Sequence, residues 1–93
     1  MAQAIVTIKI MPESPDTDLA KIQHEAEKAI DHFVSEKGEK RFLIEPIAFG
    51  LKALKITFVM DEKIGSTEPL EHAIAKLPGV NSVDVTDVRR AVG

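Results

Sequence analysis

From Ala4 to Met11 every second residue, beginning with Ala4, is apolar, and the only polar residues, Thr7 and Lys9, fall between them. Ala4, Val6, Ile8 and Ile10 fall on one side; Ile5, Thr7, Lys9 and Met11 fall on the other. Side chains of a strand point alternately to its two faces, and β-branched residues suit that geometry, so the spacing predicts a strand with its even face buried. Met11-Pro12-Glu13-Ser14-Pro15-Asp16 interrupts it with two prolines. The period then changes. Leu19, Ile22, Ala26, Ala29, Ile30 and Phe33 recur by threes and fours, one stripe of a helix. The helix is expected to begin between Ser14 and Asp18, with acids in its first turn, and to run to about Glu36. Gly38 stands where a helix C-terminal glycine belongs, and Lys37 and Lys40 place positive charge near that negative end.

Arg41 to Ile47 reads as a second, less regular strand. Pro46 has no N–H to give a ladder, which points to a sheet edge. Gly50 allows a turn, with Phe49 near its tip. Leu54, Ile56, Phe58 and Met60 alternate with Lys55, Thr57 and Val59, a third strand apolar enough for a central place. Asp61 to Thr67 is a polar connection. Ser66, Thr67 and Glu68 offer caps for a second helix, and Pro69 suits its first turn. Leu70, Ala73, Ile74 and Leu77 form its stripe, and Pro78-Gly79 ends it. Val83 and Val85 face inward on a last strand whose other side shows Asp84 and Thr86. Arg89 to Gly93 is expected to fray.

Strand, helix, strand, strand, helix, strand is the order of two split βαβ units. That order predicts an α+β, ferredoxin-like βαββαβ sandwich: a four-stranded antiparallel sheet with both helices on one face. Right-handed crossovers put the first and third strands in the centre. Residues 1–93 then form one domain, since the length leaves no room for two cores.

Composition narrows the function. Cysteine is absent, which excludes a disulfide framework, a thiolate metal site and a cysteine nucleophile. No apolar run nears the ~20 residues of a membrane span. No basic region precedes the first apolar run, so no signal peptide is expected and the cytoplasm is the default location. The formal charge is −3, with no Trp or Tyr and only four Phe. Nucleic-acid binding rests largely on phosphate neutralisation by Lys and Arg, so direct nucleic-acid binding is not expected. The basic pairs Lys40-Arg41 and Arg89-Arg90 read first as solvated surface.

No motif announces catalysis. His24, His32 and His72 do not combine at metal-ligand spacing, and no phosphate loop or calcium loop occurs. Neither a catalytic residue, a metal nor a cofactor is expected. A fold of this kind hosts many functions, so function must come from a site. A copper carrier would need two cysteines in the first loop. An RNA-recognition domain would need aromatics on the open face of the central strands, where Ile5, Thr7, Lys9, Ala53, Lys55 and Thr57 stand instead. A small-molecule-binding regulatory module stays open, because the turn Leu77 to Val83 suits it and it needs no catalytic residue. For Phe49, spacing leaves two readings: a ring folded over the open end of the core, or an exposed anchor for a partner.

Three segments carry a resemblance. Val6 to Asp16, Glu45-Pro46-Ile47-Ala48-Phe49-Gly50-Leu51-Lys52-Ala53-Leu54, and Val85 to Arg90 together resemble the translation elongation factor one beta family in its short archaeal form, over nearly the whole chain. The resemblance implies the ferredoxin-like fold. It also implies a guanine-nucleotide exchange factor, not an enzyme, acting on the GTPase elongation factor one alpha. It implies that Phe49 inserts into the GTPase surface on a hairpin shaped by Pro46, Ile47 and Gly50. Eukaryotic members end in a lysine that reaches toward the magnesium and phosphate site. The tail here, Val88 to Gly93, departs from that pattern and has no lysine; the expectation is that Arg89 and Arg90 supply the positive charge and contact the GTPase, the alternative being that magnesium is disturbed indirectly.

Overall fold

The computed structural model describes residues 3–34 and 39–91. Its elements are β1 (Gln3–Pro12), α1 (Leu19–Val34), β2 (Lys40–Pro46), β3 (Lys52–Asp61), a 3-10 turn (Glu62–Ile64), α2 (Glu68–Ala75) and β4 (Val80–Ala91). The four strands lie in the order β2-β3-β1-β4, and every neighbouring pair is antiparallel. The two strands with the most regular apolar alternation, β1 and β3, therefore occupy the middle. This is the ferredoxin-like α+β arrangement that the order of elements predicts.

One face of the sheet carries the core. Val6, Ile8 and Ile10 of β1 and Leu54, Ile56 and Phe58 of β3 are buried under Ile22, Ala26 and Ile30 of α1 and Leu70 and Ile74 of α2. Val6 lies opposite Phe58, Ile8 opposite Ile56 and Ile10 opposite Leu54. Each such side chain contributes about 1.5–3 kcal/mol when fully withdrawn from water. The other face has no helix over it among the described residues. There Thr7 and Thr57 meet across the strands with their hydroxyl oxygens 3.0 Å apart.

Several boundaries differ from those expected. Helix α1 starts at Leu19, and its first turn holds no acid. Asp18 stands just before it, where its Oδ1 accepts from the N–H groups of Ala20 and Lys21 at 3.1 and 3.3 Å. An acid used as a cap cannot also be in the turn it caps. The described helix ends at Val34; Lys37 and Gly38, expected at its C-terminal end, lie outside the described residues. Helix α2 is shorter than its stripe suggests, leaving Leu77 in the following turn and Ala73 exposed. Ser66 Oγ accepts from the Glu68 N–H at 3.1 Å, while Thr67 donates its hydroxyl to Glu71 instead of capping.

The largest correction concerns the C-terminal segment. Arg89 and Arg90 are not a fraying tail: they belong to β4 and pair with Ile5 and Ala4 of β1. Val92 and Gly93 lie outside the described residues. Strand β4 continues to Arg89 and Arg90 past an irregularity. Ile8 faces Val85 but Thr7 faces Asp87, so Thr86 is an extra residue in the ladder. Its hydroxyl donates to the Thr7 carbonyl at 3.4 Å. A bulge of this kind shifts the alternation by one place. Val83, Val85, Val88 and Arg90 thus lie on the helix side, with Asp84, Asp87 and Arg89 on the open face.

Candidate functional site

Strands β2 and β3 are joined by Ile47-Ala48-Phe49-Gly50-Leu51. The Leu51 N–H donates to the Ala48 carbonyl at 3.0 Å, closing a four-residue turn, and the Ile47 N–H donates to the Leu51 carbonyl at 2.8 Å. The two central residues, Phe49 and Gly50, have φ of +56° and +78°. Positive φ at both positions matches the twist of a hairpin and favours Asn and Gly. Gly50 meets that demand without strain. Phe49 does not: it has the only positive φ of any non-glycine residue among those described. A bulky residue held there costs about 1–2 kcal/mol.

Nothing inside the domain offsets that cost. Phe49 is 96% exposed. The ring does not fold over the open end of the core, so of the two readings that spacing allows, the exposed one holds. The turn itself is backed: a Cβ on Gly50 would lie 3.8 Å from Cβ of Pro15, so the tip rests beside the β1–α1 loop. That loop is tied in turn to the end of α2, because the Glu13 N–H donates to the Gly79 carbonyl at 2.9 Å. Between loop and hairpin runs a groove of about 350 Å³, lined among others by Pro12, Pro15, Asp18, Ile44, Gly50 and Lys52.

Pro46 ends β2 on the outer edge, as expected from its missing donor. The bond from Ile47 to Leu51 sets the alternation of the ladder: Glu45, Leu43 and Arg41 turn their backbone groups toward β3, and Pro46, Ile44 and Phe42 turn theirs outward. The missing N–H of Pro46 would have pointed to solvent, so nothing is lost. Pro46, Ile47, Phe49 and Gly50 are all exposed and sit together at the tip.

The arginines are elsewhere. Arg89 and Arg90 pair with the beginning of β1, whereas the hairpin tip lies beyond its far end at Ile10. The two groups occupy opposite ends of a molecule 42 Å long. Arg90 makes a two-pronged pair with Glu62, Nε to Oε1 at 2.8 Å and a second nitrogen to Oε2 at 3.2 Å. Glu62 holds the Arg90 guanidinium above its ordinary pKa. Arg89 Nε stands 2.9 Å from Asp87 Oδ2 on the open face. The sequence-expected site is therefore two places: a strained aromatic tip, and a pair of arginines each matched to an acid. Sequence reasoning missed Pro15 as the support of the tip and Ile44 and Lys52 as the wall of its groove; only the folded contact between loop and hairpin reveals them. His24, His32 and His72 are exposed and scattered over both helices.

Fold and tip together define the class: a ferredoxin-like α+β domain that displays an aromatic side chain at the end of a hairpin. Residues 5–91 match the model of the EF-1 guanine nucleotide exchange domain. The chain is 45% identical over 92 residues to Elongation factor 1-beta of Methanococcoides burtonii, covering 99% of this chain and 100% of that protein. It is 44% identical over 90 residues to Elongation factor 1-beta of Methanosphaera stadtmanae, with 97% and 98% covered, and 44% identical over 90 residues to that of Methanosarcina barkeri, with 97% and 99% covered. The chain belongs to the EF-1 guanine nucleotide exchange domain family. Its role is guanine-nucleotide exchange in translation elongation.

Proposed function

We propose that the chain speeds the release of GDP from elongation factor 1-alpha by binding that GTPase through the hairpin tip. The observation that carries the reading is Phe49: almost wholly exposed, in a backbone conformation that its own domain does not repay. Strain of this sort persists where the surroundings impose it and is concentrated at functional sites. A ring presented on a tight turn, with Pro15 behind it, is already arranged for insertion into an apolar socket. Aromatic anchors of that kind carry much of an interface's binding energy.

Exchange then follows from linkage and needs no covalent step, so no catalytic residue is assigned. If the chain binds the empty GTPase more tightly than the GDP-loaded one, its binding weakens GDP by the same factor. GTP refills the site. Pro46, Ile47 and Gly50 shape the tip. Arg89 and Arg90 are assigned a second contact, at the opposite end of the long axis. The GTPase must then span the length of the domain. For Arg90 to take part it must exchange Glu62 for a group on the partner; a guanidinium at that place is not equivalent to a lysine ammonium. The reading places the protein in the cytoplasm, where elongation occurs.

The deciding experiment follows release of a fluorescent GDP analogue from elongation factor 1-alpha, with and without this chain. Faster release supports the reading; an unchanged rate at saturating chain overturns it. Changing Arg89 and Arg90 together to Ala should slow release several-fold, and an unaltered rate would remove them from the mechanism.

A further inference from the structure

The sheet has two outer strands, and they are protected unequally. A strand at an edge offers unpaired backbone groups to any passing chain, and proteins blunt that edge with charges and bulges. Strand β4 has both: Asp84, Asp87, Arg89 and Arg90 along its length and the extra residue at Thr86. Strand β2 has Lys40 and Arg41 at one end and Pro46 at the other, but between them lies Phe42-Leu43-Ile44. Leu43 is 59% exposed on the open face and Ile44 49% exposed on the helix side. Apolar side chains thus emerge on both sides of an edge strand at its centre. The backbone N–H groups of Phe42 and Ile44 point outward, and no described strand lies beyond them.

This edge is continuous with the tip. Leu43 on the open face, Ile44 on the helix side, and Ile47 and Phe49 at the turn are exposed in succession along the hairpin, with Glu45 and Pro46 between them. Charges of both signs border it: Glu39 stands beside Arg41, Asp18 shares the groove with Lys52, and Glu45 is paired with Lys55 at 2.8 Å.

We infer that the β2 edge receives an extended segment of the GTPase as an added strand, apolar at its centre. The inference rests on the exchange reading and adds to it. Main-chain bonds to Phe42 and Ile44 supply register, and the side chains on either face supply selectivity. The ring at the tip and the added strand would act as one continuous contact.

Hydrogen exchange tests it, on the whole chain alone and bound to nucleotide-free elongation factor 1-alpha. Strand addition slows the amides of Phe42 and Ile44 by about tenfold or more, while those of Arg41 and Leu43, already bonded within the sheet, change less. Replacing Leu43 and Ile44 together by Thr, a good strand former, should weaken binding about tenfold and leave the fold intact. Unprotected Phe42 and Ile44 amides in the complex overturn the inference. If Phe49→Ala still abolishes exchange in that case, the exchange reading stands without it. If the wild-type chain does not alter GDP release at all, both fall. Sedimentation of the wild-type chain alone as a dimer that the double Thr variant abolishes would give the edge to a second copy and overturn the inference.

Discussion

Truncating Phe49 should separate stability from activity. The side chain is 96% exposed, so Phe49→Ala removes almost no buried area. Its stability effect should stay within about 0.5 kcal/mol, the range of ordinary surface changes. Phe49→Gly goes further. It relieves the about 1–2 kcal/mol cost of holding a side chain at φ +56°. Against that stands the extra backbone entropy of glycine, about 0.5–1 kcal/mol. The net change lies between about 0 and 1.5 kcal/mol in favour of the variant, a Tm unchanged or raised by up to about 12 °C for a domain of this size. Both variants should lose at least about tenfold in exchange, the usual result of removing a dominant aromatic anchor worth ~2 kcal/mol or more. Thermal unfolding by circular dichroism and release of a fluorescent GDP analogue from elongation factor 1-alpha read the two effects. A glycine variant several degrees less stable than the parent would show that the ring packs within the domain. Full exchange by the alanine variant would show that the ring is not what engages the partner.

Other outcomes follow from the same contacts. Gly79→Ala should destabilise by about 2 kcal/mol in chemical denaturation, because φ is +89° and the new Cβ would lie 2.9 Å from Thr17 Cγ2; no loss would mean that the β1–α1 loop moves aside freely. Lys55 bonds to the Glu45 carboxylate and holds its pKa below the ordinary 4.5. The folded pKa is depressed, so the stability it adds is present above 4.5 and lost as pH falls through the lower folded value. Lys55→Met should return the Glu45 titration, followed by NMR, upward toward that ordinary value and flatten this part of the acid dependence.

The two central strands were legible because their alternation is unbroken: Val6, Ile8 and Ile10 against Leu54, Ile56 and Phe58 can share only one face. Pro46 marked its strand as an edge for a reason that the ladder bears out. Helix limits were less legible. Asp18 serves as a cap or as a first-turn residue equally well on paper, and only the bonds to Ala20 and Lys21 decide. Phe49 could be placed at a turn from Gly50 beside it, yet spacing does not say whether a ring at a turn faces in or out. The sign of its φ does not appear in the pattern at all. The arginines illustrate the opposite limit. Adjacent in sequence, they suggested one mobile cationic tail, because nothing in Val88-Arg89-Arg90 foretells a ladder to Ile5 and Ala4.

The supernumerary threonine in the last strand settles which guanidinium looks which way. Counted as an ordinary ladder residue, it would put Arg89 above the helices, by every second residue from Val83, and turn Arg90 to the bare side of the sheet; set aside as a bulge, it lets Arg90 reach Glu62. A chain lacking Thr86 would straighten there yet keep both orientations. A slip of one place would trade them, strand Glu62 without its cation and show a partner at that end a different hand.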